Sequence, residues 1–151
     1  MRRLFPSLSV KENLVTEARG RGWSLEKVYF MFYKRQICGK HKRNLLSGGE
    51  QQMVYITRAP LTNPDFLLMD KPSEELAPLI VREVGHTVSQ LKSKGLSILL
   101  LEQNIPLALR LSDYAYVLYH GEIVHHCKAN ELDEDNKIQA DYIGVAKRET
   151  K

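Results

Sequence analysis

Leu46-Ser47-Gly48-Gly49-Glu50-Gln51-Gln52-Met53 sets two glycines and a serine at the head of an amphipathic stretch, and the reading of the whole chain turns on it. Ser47 followed three residues later by Glu50 is a capping-box pattern: the serine oxygen accepts from the third helical amide and the glutamate reaches back to the serine amide. A helix therefore starts at Gly48. Gly48 and Gly49 leave its first turn without side chains, so an anion meets the free backbone donors and the positive end of the helix dipole. The pattern is one that binds phosphate.

Working outward, Ser9 caps a helix beginning at Val10, with Glu12 in the capping-box position, and this helix runs toward Ala18 before Gly20 and Gly22 break it. A second helix follows Ser24, with Leu25, Val28, Tyr29 and Phe32 at helical spacing. Residues 34–44 read as a basic loop. The helix opened by Ser47 extends toward Thr62, with Met53, Ile56 and Ala59 on its buried face. Pro60 removes an amide donor and clashes with the preceding turn, at roughly 3 kcal/mol, which predicts a kink or an end near Ala59.

From residue 65 strands and helices alternate. Phe66 to Asp70 is a short apolar strand; Ile80, Val84, Val88 and Leu91 form one stripe of a helix that stops at Gly95; Leu96 to Leu101 is a second buried strand. Such continuous apolar runs belong in a covered parallel sheet. A shorter helix starts at Pro106 and carries Leu107, Leu109 and Leu111, and Tyr114–Tyr119 and Glu122–His125 flank His120-Gly121 as a hairpin. The tail from Asn130 is polar, with a short helix around Ile138 to Ile143.

Composition excludes several classes. A chain of 151 residues, 43% hydrophobic and 26% charged, suits one globular core and is not that of a disordered protein. No apolar run approaches the ~20 residues of a membrane span, and Leu4 to Leu8 is too short for a signal-peptide core of roughly 7 to 15 residues. Direct membrane insertion is not expected. Cys38 and Cys127 lack a metal-type spacing and read as free thiols of a reducing compartment. The net charge of +4 is modest, and the basic run Lys40-His41-Lys42-Arg43, without interleaved aromatics, reads as a solvated loop and not as a nucleic-acid contact. His125, His126 and Cys127 offer only His125 and Cys127 on one strand face, too few for a closed zinc site, so no structural metal is expected. Trp23, Tyr29, Phe30 and Phe32 read as core.

The string around Ser47 resembles the signature of ATP-binding cassette proteins, and the likeness extends on both sides. Phe66-Leu67-Leu68-Met69-Asp70 resembles the Walker B strand, Pro72 to Pro78 the loop after it, and Ser97 to Asn104 the strand and switch loop. With Leu4 to Leu14, these segments are most similar to the ATPase subunits of branched-chain amino acid importers. The resemblance implies an α/β fold, a partial P-loop NTPase: a helical subdomain with the signature helix (residues 1–64), the C-terminal part of a mainly parallel nucleotide-binding core with flanking helices (65–129), and a polar tail (130–151).

By that resemblance Ser47, Gly48, Gly49 and Gln51 contact nucleotide held by a partner subunit, Asp70 holds magnesium through water, and Glu74, Glu75, Leu76 and Ala77 form the D-loop where two subunits meet. Two positions of the site depart from the pattern, with Pro60 inside the signature helix a third departure. Lys71 stands where the family has the glutamate that polarises the attacking water; an ammonium has three donors and no acceptor, so it cannot take that proton. Its charge could favour nucleotide binding, or the change could be drift in a nonfunctional copy. Glu75 replaces an expected glycine. Gln103 stands at the switch position, where a glutamine is normal for the branched-chain subfamily.

No G-x-x-x-x-G-K-[ST] phosphate loop is present; around Gly39-Lys40, Lys34 stands in place of the first glycine and His41 in place of the magnesium-binding hydroxyl. The Q-loop glutamine would stand before Arg2. The expectation is a truncated, degenerate ATP-binding subunit of an importer, inactive as an ATPase by itself, meeting ATP and Mg2+ only through a second ATP-binding subunit, with a membrane permease as its other partner, at the cytoplasmic face of the inner membrane or in the cytoplasm. The alternative is a regulatory module docking on an intact permease or ATPase. An exposed sheet edge and apolar face are expected to make the chain aggregate.

Overall fold

The computed structural model describes residues 5, 7–16, 22–32 and 46–143, excepting the side chains of 29–32, 136, 139 and 143. The basic segment 34–44, with Cys38 and Lys40 to Arg43, lies outside the described residues. Two compact units divide the chain between Leu101 and Glu102, so the helical segment and the parallel strands, separated at residue 64 in the sequence reading, share one unit.

In the first unit, α1 (Val10–Val15) starts at Ser9 with both halves of the capping box formed, and it ends at Thr16. Asn13 is buried and holds the approach to this helix: its oxygen accepts from the Phe5 amide at 2.8 Å, and its nitrogen donates to the carbonyls of Phe5, Leu8 and Ser9. Next comes α2 (Leu25–Phe32), which buries Val28. Just before it, the Trp23 amide donates to Asn63 Oδ1, tying this segment to the far end of the following helix.

That helix, α3 (Gly48–Arg58), passes into a 3-10 turn over Ala59–Thr62. The change falls where Pro60 predicts it, because the proline lacks the amide an α-helix needs there. Its buried residues are Val54, Ile56, Thr57 and Arg58, while Met53 and Ala59 are half-buried. Ile56 lies in the buried face as expected, but α1, α2 and α4 all pack on α3, so burial spreads around it instead of following one stripe.

The strands β1 (Phe66–Asp70) and β2 (Ser97–Leu101) pair in parallel through α4 (Pro78–Ser93), whose buried line includes Val84, Val88 and Leu91. Parallel pairing agrees with the sequence reading; coverage does not. Leu67, Met69, Ile98 and Leu100 face inward, with Met69 fully buried, but Phe66 (54%), Leu68 (55%), Leu99 (46%) and Leu101 (42%) are exposed on the opposite face. Among the described residues the sheet has two strands, and no described element covers its exposed face.

In the second unit, α5 (Ile105–Leu111) is capped by Asn104, whose oxygen accepts from the Leu107 amide at 3.2 Å, and it buries Leu107 and Leu111. An antiparallel hairpin follows, β3 (Tyr114–Tyr119) and β4 (Glu122–Lys128), turned by His120 and Gly121, both with positive φ. Successive positive φ values are those of a type I′ turn, whose twist suits a two-residue hairpin. A bulge between Val117 and Leu118 shifts the register, so His125 faces Val117 while Ile123 faces Leu118. The polar tail opens on a helix that its sequence does not announce: α6 (Ala129–Glu134) begins directly after β4 and buries Ala129 and Leu132 against the hairpin. A further turn over Asn136–Ile138 and a wide turn over Gln139–Ile143 follow, the latter pair covering the region read as a short helix. None of the helices among the described residues is long and apolar enough to cross a membrane.

Candidate functional site

The head of α3 is built from its own four residues. Ser47 Oγ accepts from the Glu50 amide at 3.3 Å, and the Glu50 carboxylate accepts from both the Ser47 amide and the Ser47 hydroxyl at 2.7 Å. Ser47 therefore spends its proton on Glu50, and a phosphate oxygen seeking that proton must displace a carboxylate. Gln51 turns its amide nitrogen to the Leu46 carbonyl at 3.0 Å, which fixes the residue before the cap.

The two glycines differ. A Cβ built at Gly48 meets nothing within 4 Å, so its exposed surface accepts a ligand up to the backbone. A Cβ at Gly49 would lie 2.9 Å from Ile80 Cγ1 of α4. Gly49 thus serves the packing of α3 on α4, while Gly48 leaves the approach to the cap open. With exposed Ser47 and open Gly48 the cap fits a phosphate, against the opposing charge of Glu50.

At the end of β1, Asp70 is exposed. Lys71 follows with φ +44, its amide donating to the Leu101 carbonyl at 2.8 Å, and its ammonium stands 3.6 Å from Glu74 Oε1. Both side chains are well exposed, so this pair contributes under about 1 kcal/mol. The loop then folds on itself: the Glu74 amide donates to the Lys71 carbonyl and the Leu76 amide to the Ser73 carbonyl. Glu75, at the expected glycine position, has φ +59, a left-handed conformation that favours glycine. Ala77 ends the loop, and Pro78 opens α4 at the first helical position.

The structure brings the α3 cap, Asp70, Lys71 and Glu74 to Ala77 into one compact unit. Gln103 belongs to the other, exposed, with its amide held by the Glu102 carboxylate at 3.1 Å ahead of α5. His125 and Cys127 are half-buried on one hairpin face, whereas His126 stacks outward on Tyr116. Burial pushes the Cys127 thiol up, the carboxylates of Glu131 and Asp135 add to that, and a hydrogen bond with the Leu132 backbone opposes it. Among the described residues no group of three or more His, Cys, Asp or Glu side chains is placed to hold a metal.

Two contacts escaped the sequence reading. Gln52, beside Gln51, donates to the Pro72 carbonyl at 3.1 Å, and Ile80 fills the space that Gly49 leaves. The paired glutamines after the glycines were the visible signal, but no spacing rule sends one of them to a loop twenty residues away.

A family described as ABC transporter matches residues 1–74. The high-affinity branched-chain amino acid transport ATP-binding protein BraG of Pseudomonas aeruginosa is 37% identical over 148 residues, covering 95% of this chain and 64% of BraG. The probable branched-chain amino acid transport ATP-binding protein LivG of Methanocaldococcus jannaschii is 34% identical over 117 residues, 75% of this chain and 46% of that protein. The chain thus spans less than two thirds of these relatives. Among solved structures, an ATP-binding cassette of an ABC transporter superposes with a TM-score of 0.71 at 24% identity over 95% of this chain and 67% of its own, which shows the α/β cassette fold. Another cassette, in its ADP conformation, gives 0.66 at 28% identity over 89% of this chain and 56% of its own. The capped Ser47-Gly48-Gly49 helix, the β1 strand ending in Asp70 and these likenesses together place the chain in the ATP-binding cassette family of ABC transporters.

Proposed function

We propose that this chain offers the signature face of a composite nucleotide site in an importer of the branched-chain amino acid type, and that it does not hydrolyse ATP by itself. The observation that carries the reading is the cap of α3: an exposed serine and an open Gly48 at the positive end of a helix. Ser47, Gly48 and Gln51 would meet the phosphates of ATP and its Mg2+ held by a second ATP-binding subunit, with Asp70 and the Glu74 to Ala77 loop near the subunit boundary. Lys71 supports the lack of hydrolysis, since an ammonium offers no acceptor to the attacking water. The names of BraG and LivG support the substrate class. A permease partner would hold the chain at the cytoplasmic face of the inner membrane.

The test titrates a fluorescent ATP analogue with Mg2+ into the full chain, then into the chain mixed with BraG, with and without Gly48→Asp. Gly48 is the position to change, because a side chain at Gly49 would collide with Ile80. The chain alone should bind nothing, and nucleotide should promote its association with BraG, at least tenfold less with Gly48→Asp. Binding by the chain alone that the substitution abolishes would instead make it a nucleotide-sensing module. The exposed face of β1–β2 favours a second reading, a regulatory module that docks through apolar contact. Association indifferent to both nucleotide and Gly48→Asp would select it.

A further inference from the structure

We infer that Gln52 is a positioning residue that pins the loop of Lys71 to Ala77 to the α3 helix. Pro72 has no amide hydrogen, so its carbonyl is the only backbone group by which that residue can be held, and Pro72 is fully buried. A buried carbonyl needs a donor. Half-buried Gln52 supplies it, from Nε2 at 3.1 Å, across 20 residues of sequence.

The bond falls between two strained points. Lys71 precedes it at φ +44 and Glu75 follows at φ +59, both in the left-handed region that costs an L-residue energy. Weak turn contacts close the loop on either side, Glu74 to Lys71 at 3.2 Å and Leu76 to Ser73 at 3.3 Å. Fixing the Pro72 carbonyl holds the turn in which Lys71 meets Glu74. Gln51 and Gln52 therefore divide the work of α3: one braces Leu46 ahead of the cap, the other braces the loop after β1. The cap and the loop become one mechanical piece. This does not depend on the chain binding nucleotide.

Amide hydrogen exchange on the full chain tests it, with Gln52→Ala and Gln52→Glu. Gln52→Ala should speed exchange at Glu74 and Leu76 at least tenfold, with the Asn13 amide of α1 within about twofold of its original rate. Gln52→Glu keeps the size but carries no donor once ionised, so near pH 7 it should behave like alanine. Below the ordinary glutamate pKa of about 4.3 the protonated acid can donate again, and protection at Glu74 and Leu76 relative to the unsubstituted chain at the same pH should return. A packing role alone would not give that recovery. Unchanged exchange at Glu74 and Leu76, acceleration equal to that at Asn13, or no recovery at low pH while Asn13 stays protected would each overturn the assignment.

Discussion

At the head of α3, Ser47 and Glu50 each accept from the other's amide within four residues, whereas the outer face of β1–β2 leaves Phe66, Leu68, Leu99 and Leu101 in contact with water. Both regions carry recognisable family motifs. The cap needs only its neighbours in sequence, so it is complete wherever the chain reaches that point. The strand pair needs cover on two sides, and the first unit supplies one. A two-stranded sheet is marginal by itself, and exposed apolar side chains on it invite further pairing.

The strongest way to break this comparison is to exchange the two faces of the sheet. Leu68→Thr with Leu99→Thr replaces exposed apolar groups with β-branched polar residues suited to a strand. It should lower the aggregated fraction several-fold in light scattering at equal protein concentration. Met69→Thr, on the covered face, should unfold the first unit or cost about 2–5 kcal/mol in urea unfolding, because it leaves a cavity and a buried hydroxyl. Equal effects from both faces would mean that the outer face is covered in solution.

A second contrast separates a short-range cap from a buried polar hub. Asn13 joins Phe5, Leu8 and Ser9 through four hydrogen bonds and is almost wholly buried. Asn13→Ala strands several backbone groups and should cost about 2–3 kcal/mol by urea unfolding. A loss below about 1 kcal/mol, the usual size for a single cap residue, would show that water replaces the side chain readily and that the segment before α1 is loosely held.

The same distinction explains what could be read from the chain. Both capping boxes, the ends of β1, the break at Pro60 and the His120-Gly121 turn were legible because each depends on residues within about four positions. The buried side of α3 was not, since three helices compete for it, and a stripe of Met53, Ile56 and Ala59 says nothing of their directions. The helix from Ala129 to Glu134 was missed because its sequence is polar and only Ala129 and Leu132 are buried. At the site, Ser47 and Gly48 announced themselves. Gly49 and Gln52 act through Ile80 and Pro72, and those pairings exist only once α4 has folded back on α3.

The smallest effect lies in the loop between these regions, and it asks whether a family glycine was kept for its backbone. Glu75 occupies φ +59, where an L-residue pays roughly 1–2 kcal/mol and glycine pays almost nothing. Glycine also frees the unfolded chain, which takes back part of that gain. Glu75→Gly should therefore stabilise the first unit by only about 0.5 kcal/mol in urea unfolding. The exposed carboxylate has no structural bond to lose in the loop, whose hydrogen bonds run from the amides of Glu74 and Leu76. A clear destabilisation would mean that the Glu75 side chain holds the turn itself, and that the left-handed conformation is a consequence of that hold instead of a cost inherited from a position better suited to glycine.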